Sequence, residues 1–421
     1  MAWRAMGAHV FVVDKYSYPV HANKGFCGVK NPKGGGRLGL IADIKAYRVG
    51  DTVFFYHRRV DERPLERGFR DVFKIISEPF YDETDVRYGD FVVYGKCPHC
   101  GTSYSDEMEK KEGVWDIYCI ECDEKLDGHI LPFRVLIEPS MRFEKPVDDN
   151  TAYIDYEDSG ELHTLRWRKV TGAGRARSAQ HILPEETAKI TRMLKNINNN
   201  HQSGAQTRNY ISVQQANGKK LPPALEITRP SSDAALYYVK RDGSFSNESG
   251  LPAWFNENIG RGTNQTLDQL VGSLNELEYF GNNVPYGVGG ENADLLLLHK
   301  RDGKRFKATI FELKKDEITD STVNQVLDPE WQNYAKWVGQ LATAYVEPPV
   351  DSLEIQPILV GFGVDASAKR RIDELETQYN LFSRQTKIRY RHRNEVVITV
   401  KEPILISYLV RDNTLGLTIE D

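Results

Sequence analysis

Two apolar runs near the middle of the chain, each carrying a carboxylate, constrain the fold more than any other feature. The first run is Asp294-Leu295-Leu296-Leu297-Leu298, which follows a Gly289-Gly290 turn, and the second is Thr309-Ile310-Phe311-Glu312-Leu313-Lys314. Short apolar runs of this kind are typical of strands buried inside a sheet. The polar stretch 300–305 between them is typical of a hairpin turn. The sequence therefore predicts two neighbouring strands of one buried sheet.

The charged residues on these two runs predict a metal site. Side chains alternate between faces along a strand, so Glu312 and Lys314 share one face while Leu313 points into the core. Pairing of the two strands then brings Asp294 close to Glu312. Two such carboxylates can hold Mg²⁺, and a lysine beside them can orient or help to deprotonate an attacking water molecule. Asp294, Glu312 and Lys314 are the predicted catalytic set, and the two acids are the predicted Mg²⁺ ligands.

An acid followed by Glu-x-Lys in this arrangement resembles the signature of the PD-(D/E)xK nuclease superfamily. The resemblance implies a restriction-endonuclease-like mixed sheet flanked by helices and Mg²⁺-dependent hydrolysis of phosphodiester bonds. Members often carry a glutamine on the helix after the signature, which is Gln325 or Gln332 in this chain. They also tend to carry an acid on the first helix. Glu248 is the first choice for that acid, and Glu257 and Asp268 are the alternatives.

Two pairs of cysteines predict a second, structural metal site at about residues 95–125. Cys97-Pro98-His99-Cys100 and Cys119-Ile120-Glu121-Cys122 are separated by eighteen residues, which is the spacing of a zinc ribbon. Four thiolates complete a tetrahedral Zn²⁺ site and leave no position open for catalysis. Two disulfides are the alternative, and they are disfavoured in an intracellular chain without a secretory signal.

The first 195 residues predict a β-rich unit. Strand patterns punctuated by glycine and proline occur at 9–13, 49–56, 73–81 and 131–139, and an amphipathic helix with capping residues follows at 183–194. A series of short strands of this kind favours a small β-barrel. The zinc ribbon lies between the last two strands and is therefore predicted to be an insertion.

The strand at 9–13, the turn at 24–29, the turn at 49–51 with Phe54-Phe55-Tyr56, and the segment 77–82 resemble the EVE domain and its YTH relatives. These families share a PUA-like β-barrel that binds a nucleobase, often a modified one, in an aromatic pocket. A flipped base must be stacked by rings and read by polar groups at its edge. The candidate pocket residues are Tyr16, Tyr18, Phe26 and Trp167 as walls, with Ser17 or Asn23 at the edge.

Residues 196–224 are rich in Asn and Gln and end in a proline pair, which predicts a linker between 1–195 and 225–421. In the second unit, helical spacing over 268–279, a buried strand at 357–362 and a charged helix around 369–376 interleave. This pattern favours a mixed sheet flanked by helices. The predicted fold class is thus β for the first unit and α/β for the second.

The net charge of −5 means that contacts with nucleic acid must come from local basic patches. A charge run is usually a solvated face, but a row of cations on one strand face also suits phosphate contacts. Two patches qualify, namely the segment 166–177 with Arg166, Arg168, Lys169, Arg175 and Arg177, and the strand 387–393 with Lys387, Arg389, Arg391 and Arg393.

Together these features predict a Mg²⁺-dependent DNA endonuclease that the first unit directs to modified bases. The alternatives are an RNA-processing or DNA-repair nuclease and a non-catalytic nucleic-acid-binding protein. A homodimer is expected by analogy, since double-strand cleavage by a single-site nuclease generally needs two copies. No apolar run approaches the ~20 residues of a membrane helix, and the start of the chain lacks the pattern of a secretory signal. We therefore expect a cytoplasmic protein.

Overall fold

The computed structural model describes parts of both predicted units. The described residues are 7–13, 18, 21–22, 25–29, 38–57, 68–81, 100, 116–118, 121–123, 125–129, 133–148, 151–152, 162, 164, 179–202, 239–285, 292–328, 334–343, 349–389, 395–412 and 414–420. The greater part of the predicted linker lies outside these ranges.

The described strands of the amino-terminal unit are β1 (Ala8–Val13), β2 (Phe26–Val29), β3 (Thr52–His57), β4 (Gly68–Ile75), β5 (Phe80–Tyr81), β6 (Asp116–Tyr118), β7 (Lys125–His129), β8 (Phe133–Met141) and β9 (Ala179–Ile182), and the described helices are α1 (Leu38–Lys45) and α2 (Pro184–Ile197). Seven of these strands form a mixed sheet in the order β2-β8-β4-β3-β1-β9, with β5 paired to β8. Strand β1 runs parallel to β3 and antiparallel to β9. A separate two-stranded sheet is formed by β6 and β7.

Most of the elements predicted for this unit are present. The predicted strands at 9–13, 49–56 and 131–139 correspond to β1, β3 and β8, and the predicted closing helix is α2. The strand predicted at 73–81 is instead divided between β4 and β5. The division falls at Ser77–Pro79, where the Ser77 hydroxyl accepts the Leu136 N–H at 2.8 Å in place of a ladder bond and Pro79 has no N–H to donate. A PUA-like barrel remains a prediction.

The described strands of the carboxy-terminal unit are β10 (Leu277–Pro285), β11 (Asn292–Arg301), β12 (Lys304–Leu313), β13 (Ser352–Gly361), β14 (Gln385–Arg389), β15 (Glu395–Val400), β16 (Ile404–Arg411) and β17 (Thr414–Glu420). These eight strands form one mixed sheet. Its order is β10-β11-β12-β13-β15-β14, and β16 joins β13 and pairs with β17.

Among the described residues, five helices accompany this sheet, namely α3 (Gly250–Asn258), α4 (Gln265–Val271), α5 (Asp320–Leu327), α6 (Tyr334–Thr343) and α7 (Ala366–Tyr379). The predicted buried strand is β13 and the predicted charged helix is α7. The helix expected over 268–279 is wrong from Gly272 onward, because α4 ends at Val271 and β10 begins at Leu277. Gly272 ends the helix with a φ of 78°, a conformation that glycine adopts without strain.

The inner strands β11, β12 and β13 are buried on both faces of the sheet, which explains their continuous apolar runs. On β11, Leu296 and Leu298 pack into one hydrophobic cluster. Leu295 and Leu297 pack into the cluster on the opposite face. The period of two along the strand therefore divides consecutive leucines between two cores.

Helix α1 packs against helix α3 and connects the two sheets through buried polar contacts. The Lys45 ammonium forms an ion pair with the Glu257 carboxylate, and both side chains are almost fully buried. The Arg48 guanidinium donates to the Asn256 carbonyl at 2.6 Å. In the part of the chain that the structure describes, no helix is long and apolar enough to cross a membrane.

Candidate active site

A tight hairpin places the two predicted metal ligands side by side. Strands β11 and β12 are antiparallel, with Leu295 opposite Phe311. Asp302 and Gly303 form the turn, and both have positive φ, at 50° and 80°, as in the two-residue turns that match the twist of paired strands. One further step along this ladder brings Asp294 to the level of Glu312 on the neighbouring strand.

The backbone fixes the Asp294 carboxylate directly. Its Oδ2 accepts the N–H of Leu313 at 2.8 Å. The Leu313 side chain is fully buried in the core on the other face of the sheet, as the strand period predicts. Glu312 is only 2% exposed, and its Oε1 lies 2.5 Å from the Nζ of Lys314.

The charges at this site favour a cation. Burial raises the pKa of Asp294 well above its ordinary value, and the neighbouring negative charge of Glu312 adds to that effect. Two carboxylates held this close repel each other unless a positive charge lies between them. Carboxylate oxygens are the ligands that Mg²⁺ prefers, so Asp294 and Glu312 fit this ion.

Lys314 is suited to act as a cation. Burial lowers the pKa of its ammonium, but the Glu312, Glu248 and Asp294 carboxylates outweigh burial, so the pKa lies above its ordinary value. A lysine that stays protonated orients a water molecule and stabilises negative charge rather than accepting a proton.

Of the three candidate helix acids, Glu248 lies at this site. Its Oε1 is 3.6 Å from the Lys314 Nζ. It precedes α3 by two residues rather than lying within a helix. Glu257 is near the other end of α3, where it pairs with Lys45. Asp268 lies on α4.

Neither of the glutamines predicted to contact the phosphate or the lysine is described at this site. Gln325 is exposed on α5, and Gln332 lies outside the described residues. Among the residues that the structure describes, no group of three or more His, Cys, Asp and Glu side chains is arranged to hold a metal. Mg²⁺ is commonly bound by one or two carboxylates together with water and substrate phosphate, so two acids suffice for this ion.

The candidate base pocket is described at two of its residues. The Tyr18 hydroxyl donates to the Asp71 carboxylate, and its ring lies edge-on to His57, with 4.5 Å between the ring centroids. Phe26 is 1% exposed, and the Arg134 guanidinium lies 4.8 Å from its ring centroid. Tyr16, Ser17, Asn23 and Trp167 lie outside the described residues.

The zinc-ribbon prediction falls mostly outside the described residues. Cys100 is an exposed turn residue, and Cys122 is half-buried in the turn between β6 and β7. A turn between two short strands is where a knuckle of a zinc ribbon is expected. Cys97 and Cys119 are not among the described residues, so the Zn²⁺ site remains a prediction.

An acid on the neighbouring strand pairs with one cation of the second basic patch, which the sequence prediction did not anticipate. Lys387 and Arg389 lie on β14, and the Nζ of Lys387 forms an ion pair with Glu395 on β15 at 2.7 Å. Arg391 and Arg393 lie outside the described residues, as does the whole first patch at 166–177. Phosphate contacts by either patch remain predictions.

Sequence reasoning missed one residue that adjoins the site, Tyr408. Its hydroxyl contacts the backbone of the residue after Lys314 and of a residue shortly before Glu248. Its only sequence signal is a tyrosine within the apolar strand run of β16, which is equally typical of an ordinary core aromatic residue.

No family model matches the chain, and no curated protein matches it. Solved structures give distant likenesses. A hypothetical protein from Leishmania major is 14% identical, covering 47% of this chain and 99% of its own, with a TM-score of 0.28. The human THYN1 protein, solved in complex with 5-methylcytosine-containing DNA, is 13% identical, covering 45% and 98%, with a TM-score of 0.27. A protein from Pseudomonas putida is 16% identical, covering 44% and 98%, with a TM-score of 0.26. At TM-scores this low, function is inferred from the chain's own residues.

Proposed function

We propose that the chain is a Mg²⁺-dependent endonuclease that hydrolyses phosphodiester bonds in DNA. The observation that carries the proposal is the geometry of one hairpin. The Asp294 carboxylate on β11 accepts a hydrogen bond from the backbone N–H of Leu313, the residue between Glu312 and Lys314 on β12. The Glu312 carboxylate and the Lys314 ammonium are in contact. Two acids and a cation held together at the ends of two inner strands suit metal-dependent phosphodiester hydrolysis.

Each residue of the site has a distinct role in this proposal. Asp294 and Glu312 hold the metal, which when bound supplies Lewis-acid activation of water and neutralises charge on the phosphate. Lys314 stabilises the negative charge that develops during hydrolysis, because it remains protonated between three carboxylates. The Glu248 carboxylate, 3.6 Å from the Lys314 Nζ, helps to hold this ammonium or contributes a further oxygen to the metal.

The amino-terminal unit is proposed to direct this activity to a modified base. The support is the resemblance of the sequence to base-binding PUA-like domains. The contacts between α1 and α3 also support it, since they attach this unit to the sheet that carries the site. Buried polar contacts such as the Lys45–Glu257 pair favour a fixed arrangement over two independently moving units.

The test is a cleavage assay with the full chain on three kinds of substrate: plasmid DNA without modification, plasmid DNA with modified cytosine or adenine, and structured RNA. We expect cleavage of modified DNA in Mg²⁺ and no cleavage in EDTA. Glu312→Gln is expected to lose cleavage while keeping binding. Preferential cleavage of RNA would favour an RNA-processing nuclease instead. Binding without cleavage of any substrate would favour a non-catalytic nucleic-acid-binding protein.

A further inference from the structure

The hydroxyl of Tyr408 joins two separate segments of the chain. Tyr408 lies on β16 and is 1% exposed. Its hydroxyl donates to the Lys315 carbonyl at 2.6 Å and accepts the Phe245 N–H at 3.1 Å. A hydroxyl has one proton to donate and lone pairs to accept with, so one oxygen atom satisfies both backbone groups.

These two segments carry the two sides of the candidate active site. Lys315 follows Lys314 directly, and Phe245 precedes Glu248 by three residues. The Glu248 carboxylate and the Lys314 ammonium meet at 3.6 Å. The Tyr408 hydroxyl therefore connects the backbones from which these two side chains project.

The segment that carries Glu248 is held closely against β16. The Val410 N–H donates to the Gly243 carbonyl at 3.1 Å. Gly243 has a φ of 89°, and a Cβ there would lie 2.7 Å from the Val410 carbonyl oxygen, so a side chain does not fit. Strand β16 thus serves as the surface on which this segment is positioned.

The Tyr408 ring itself has little freedom to move. Its centroid lies 5.4 Å from that of Phe245 and 5.8 Å from that of Phe362. Strand β16 is paired in parallel with β13, where Gly361 lies opposite Ser407. The Val360 carbonyl of β13 also accepts the Lys314 N–H at 2.8 Å. The hydroxyl is consequently a fixed point with respect to both segments.

We propose that Tyr408 is a positioning residue that sets the distance between the Glu248 carboxylate and the Lys314 ammonium. The proposal rests on the proposed nuclease function for its kinetic consequences. Tyr408 contacts backbone groups and acts through Glu248, so it is distinct from the residues that hold the metal. A tyrosine with only a packing role would affect stability and leave this distance unchanged.

The kinetic test compares Tyr408→Phe with Glu248→Gln and with the double variant in the full chain. Tyr408→Phe retains the ring and removes both hydrogen bonds, so we expect kcat to fall about tenfold while KM changes less than about threefold. In the Glu248→Gln background we expect Tyr408→Phe to change kcat by less than about twofold, because the carboxylate that Tyr408 positions is already absent. Equal losses of kcat in both backgrounds would overturn the proposal.

Tyr279→Phe is the matched control. Tyr279 is a buried tyrosine on β10 of the same sheet, 2% exposed, whose hydroxyl lies against Gly281. We expect this change to leave kcat within about twofold of the parent, as expected for a hydroxyl that does not join the two segments. A tenfold loss of kcat in this control would show that removing any buried tyrosine hydroxyl from the sheet lowers kcat, and would contradict a specific role of Tyr408.

A crystal structure of Tyr408→Phe tests the proposal without any cleavage assay. We expect the Glu248–Lys314 distance to lengthen from 3.6 Å to beyond the roughly 4 Å limit of an ion pair. An unchanged distance would overturn the proposal even if the chain is a nuclease. Conversely, a lengthened distance in a chain that cleaves no substrate would support the positioning role and refute the nuclease function.

Discussion

The Asp294 carboxylate accepts a hydrogen bond from the backbone N–H of Leu313 at 2.8 Å. Leu313 is the residue between Glu312 and Lys314, so this bond ties the acid of one strand to the pair on the next. The Leu313 side chain is anchored in the core on the opposite face. The site is therefore positioned by buried backbone and apolar packing, which leaves the carboxylates available for a cation.

The buried ion pair between Lys45 and Glu257 is expected to be essential for stability. Lys45→Met would leave the Glu257 carboxylate buried without its cation, and we expect the free energy of unfolding to fall by about 3–5 kcal/mol. Urea denaturation of the full chain measures the change. In the double variant Lys45→Met/Glu257→Leu, which removes both charges, most of the lost stability should return.

The matched control for that experiment is Lys401→Met. Lys401 pairs with Glu354 at 3.4 Å, and both side chains are about half exposed, at 45% and 40%. We expect a change of less than about 1 kcal/mol, because water screens such a pair. Similar losses for Lys45→Met and Lys401→Met would contradict the account of the interface between α1 and α3.

Gly361→Ala is expected to disturb the candidate active site through the segment that follows Lys314. A Cβ at Gly361 would lie 2.8 Å from the Asp316 carbonyl oxygen and 2.8 Å from the Ile318 side chain. It would thus push the segment that follows Lys314, with a loss of stability of about 1–3 kcal/mol and slower cleavage. In the control Gly363→Ala, the new Cβ would meet only the flexible Glu317 side chain, at 3.4 Å. The unfolding temperature and kcat are measured for both variants. Equal losses in Gly361→Ala and Gly363→Ala would refute this prediction.

His299 is expected to make the protein less stable in mild acid. Burial lowers the pKa of His299 to about 4, and the nearby Lys307 cation also lowers it. The Glu276 carboxylate has a smaller effect in the opposite direction. The unfolded chain therefore binds a proton below about pH 6.5 that the folded chain binds only near pH 4. The stability that this group contributes is present above pH 6.5 and is lost as the pH falls towards 4.

Between pH 7 and pH 5 this linkage corresponds to about 2 kcal/mol. Urea denaturation at the two pH values measures it, and His299→Gln should reduce the difference between them by that amount. A variant with the same pH dependence as the parent would show that His299 does not carry the effect.

The cysteine pairs predict about one tightly bound Zn²⁺ per chain. Elemental analysis of the purified protein should detect this Zn²⁺. The ion should be lost in Cys100→Ser and in Cys122→Ser. It should be retained in the control Cys27→Ser, which changes a buried core cysteine outside the pairs. Because a structural zinc contributes to folding, removal by a chelator should also lower the unfolding temperature. A protein without zinc, or one whose four cysteines form two disulfides, would contradict the prediction.

The parts of the site that depend on local sequence could be predicted, and the parts that depend on distant packing could not. Strand period and an Asp302-Gly303 turn placed Glu312 and Lys314 on one face beside Asp294. The choice among three acids depended on where α3 and the turn before it pack, which the sequence left open. The role of Tyr408 could not be predicted for the same reason, because its partners are distant in sequence. Phe245 lies 163 residues before it and Lys315 lies 93 residues before it. The helix expected over 268–279 ends before Gly272. The apolar spacing continues beyond this residue, but its positive φ ends the helix.

The central claim is most directly tested by comparing Lys314→Ala with Lys304→Ala in the cleavage assay. Lys304 begins the same strand at its exposed end and pairs with Asp351 at 2.8 Å, so the control removes a lysine from β12 without touching the site. We expect Lys314→Ala to lose about a hundredfold or more in kcat, and Lys304→Ala to stay within about threefold of the parent. If Lys314→Ala cleaves every substrate as well as the parent does, the assignment of this hairpin as a nuclease active site is wrong.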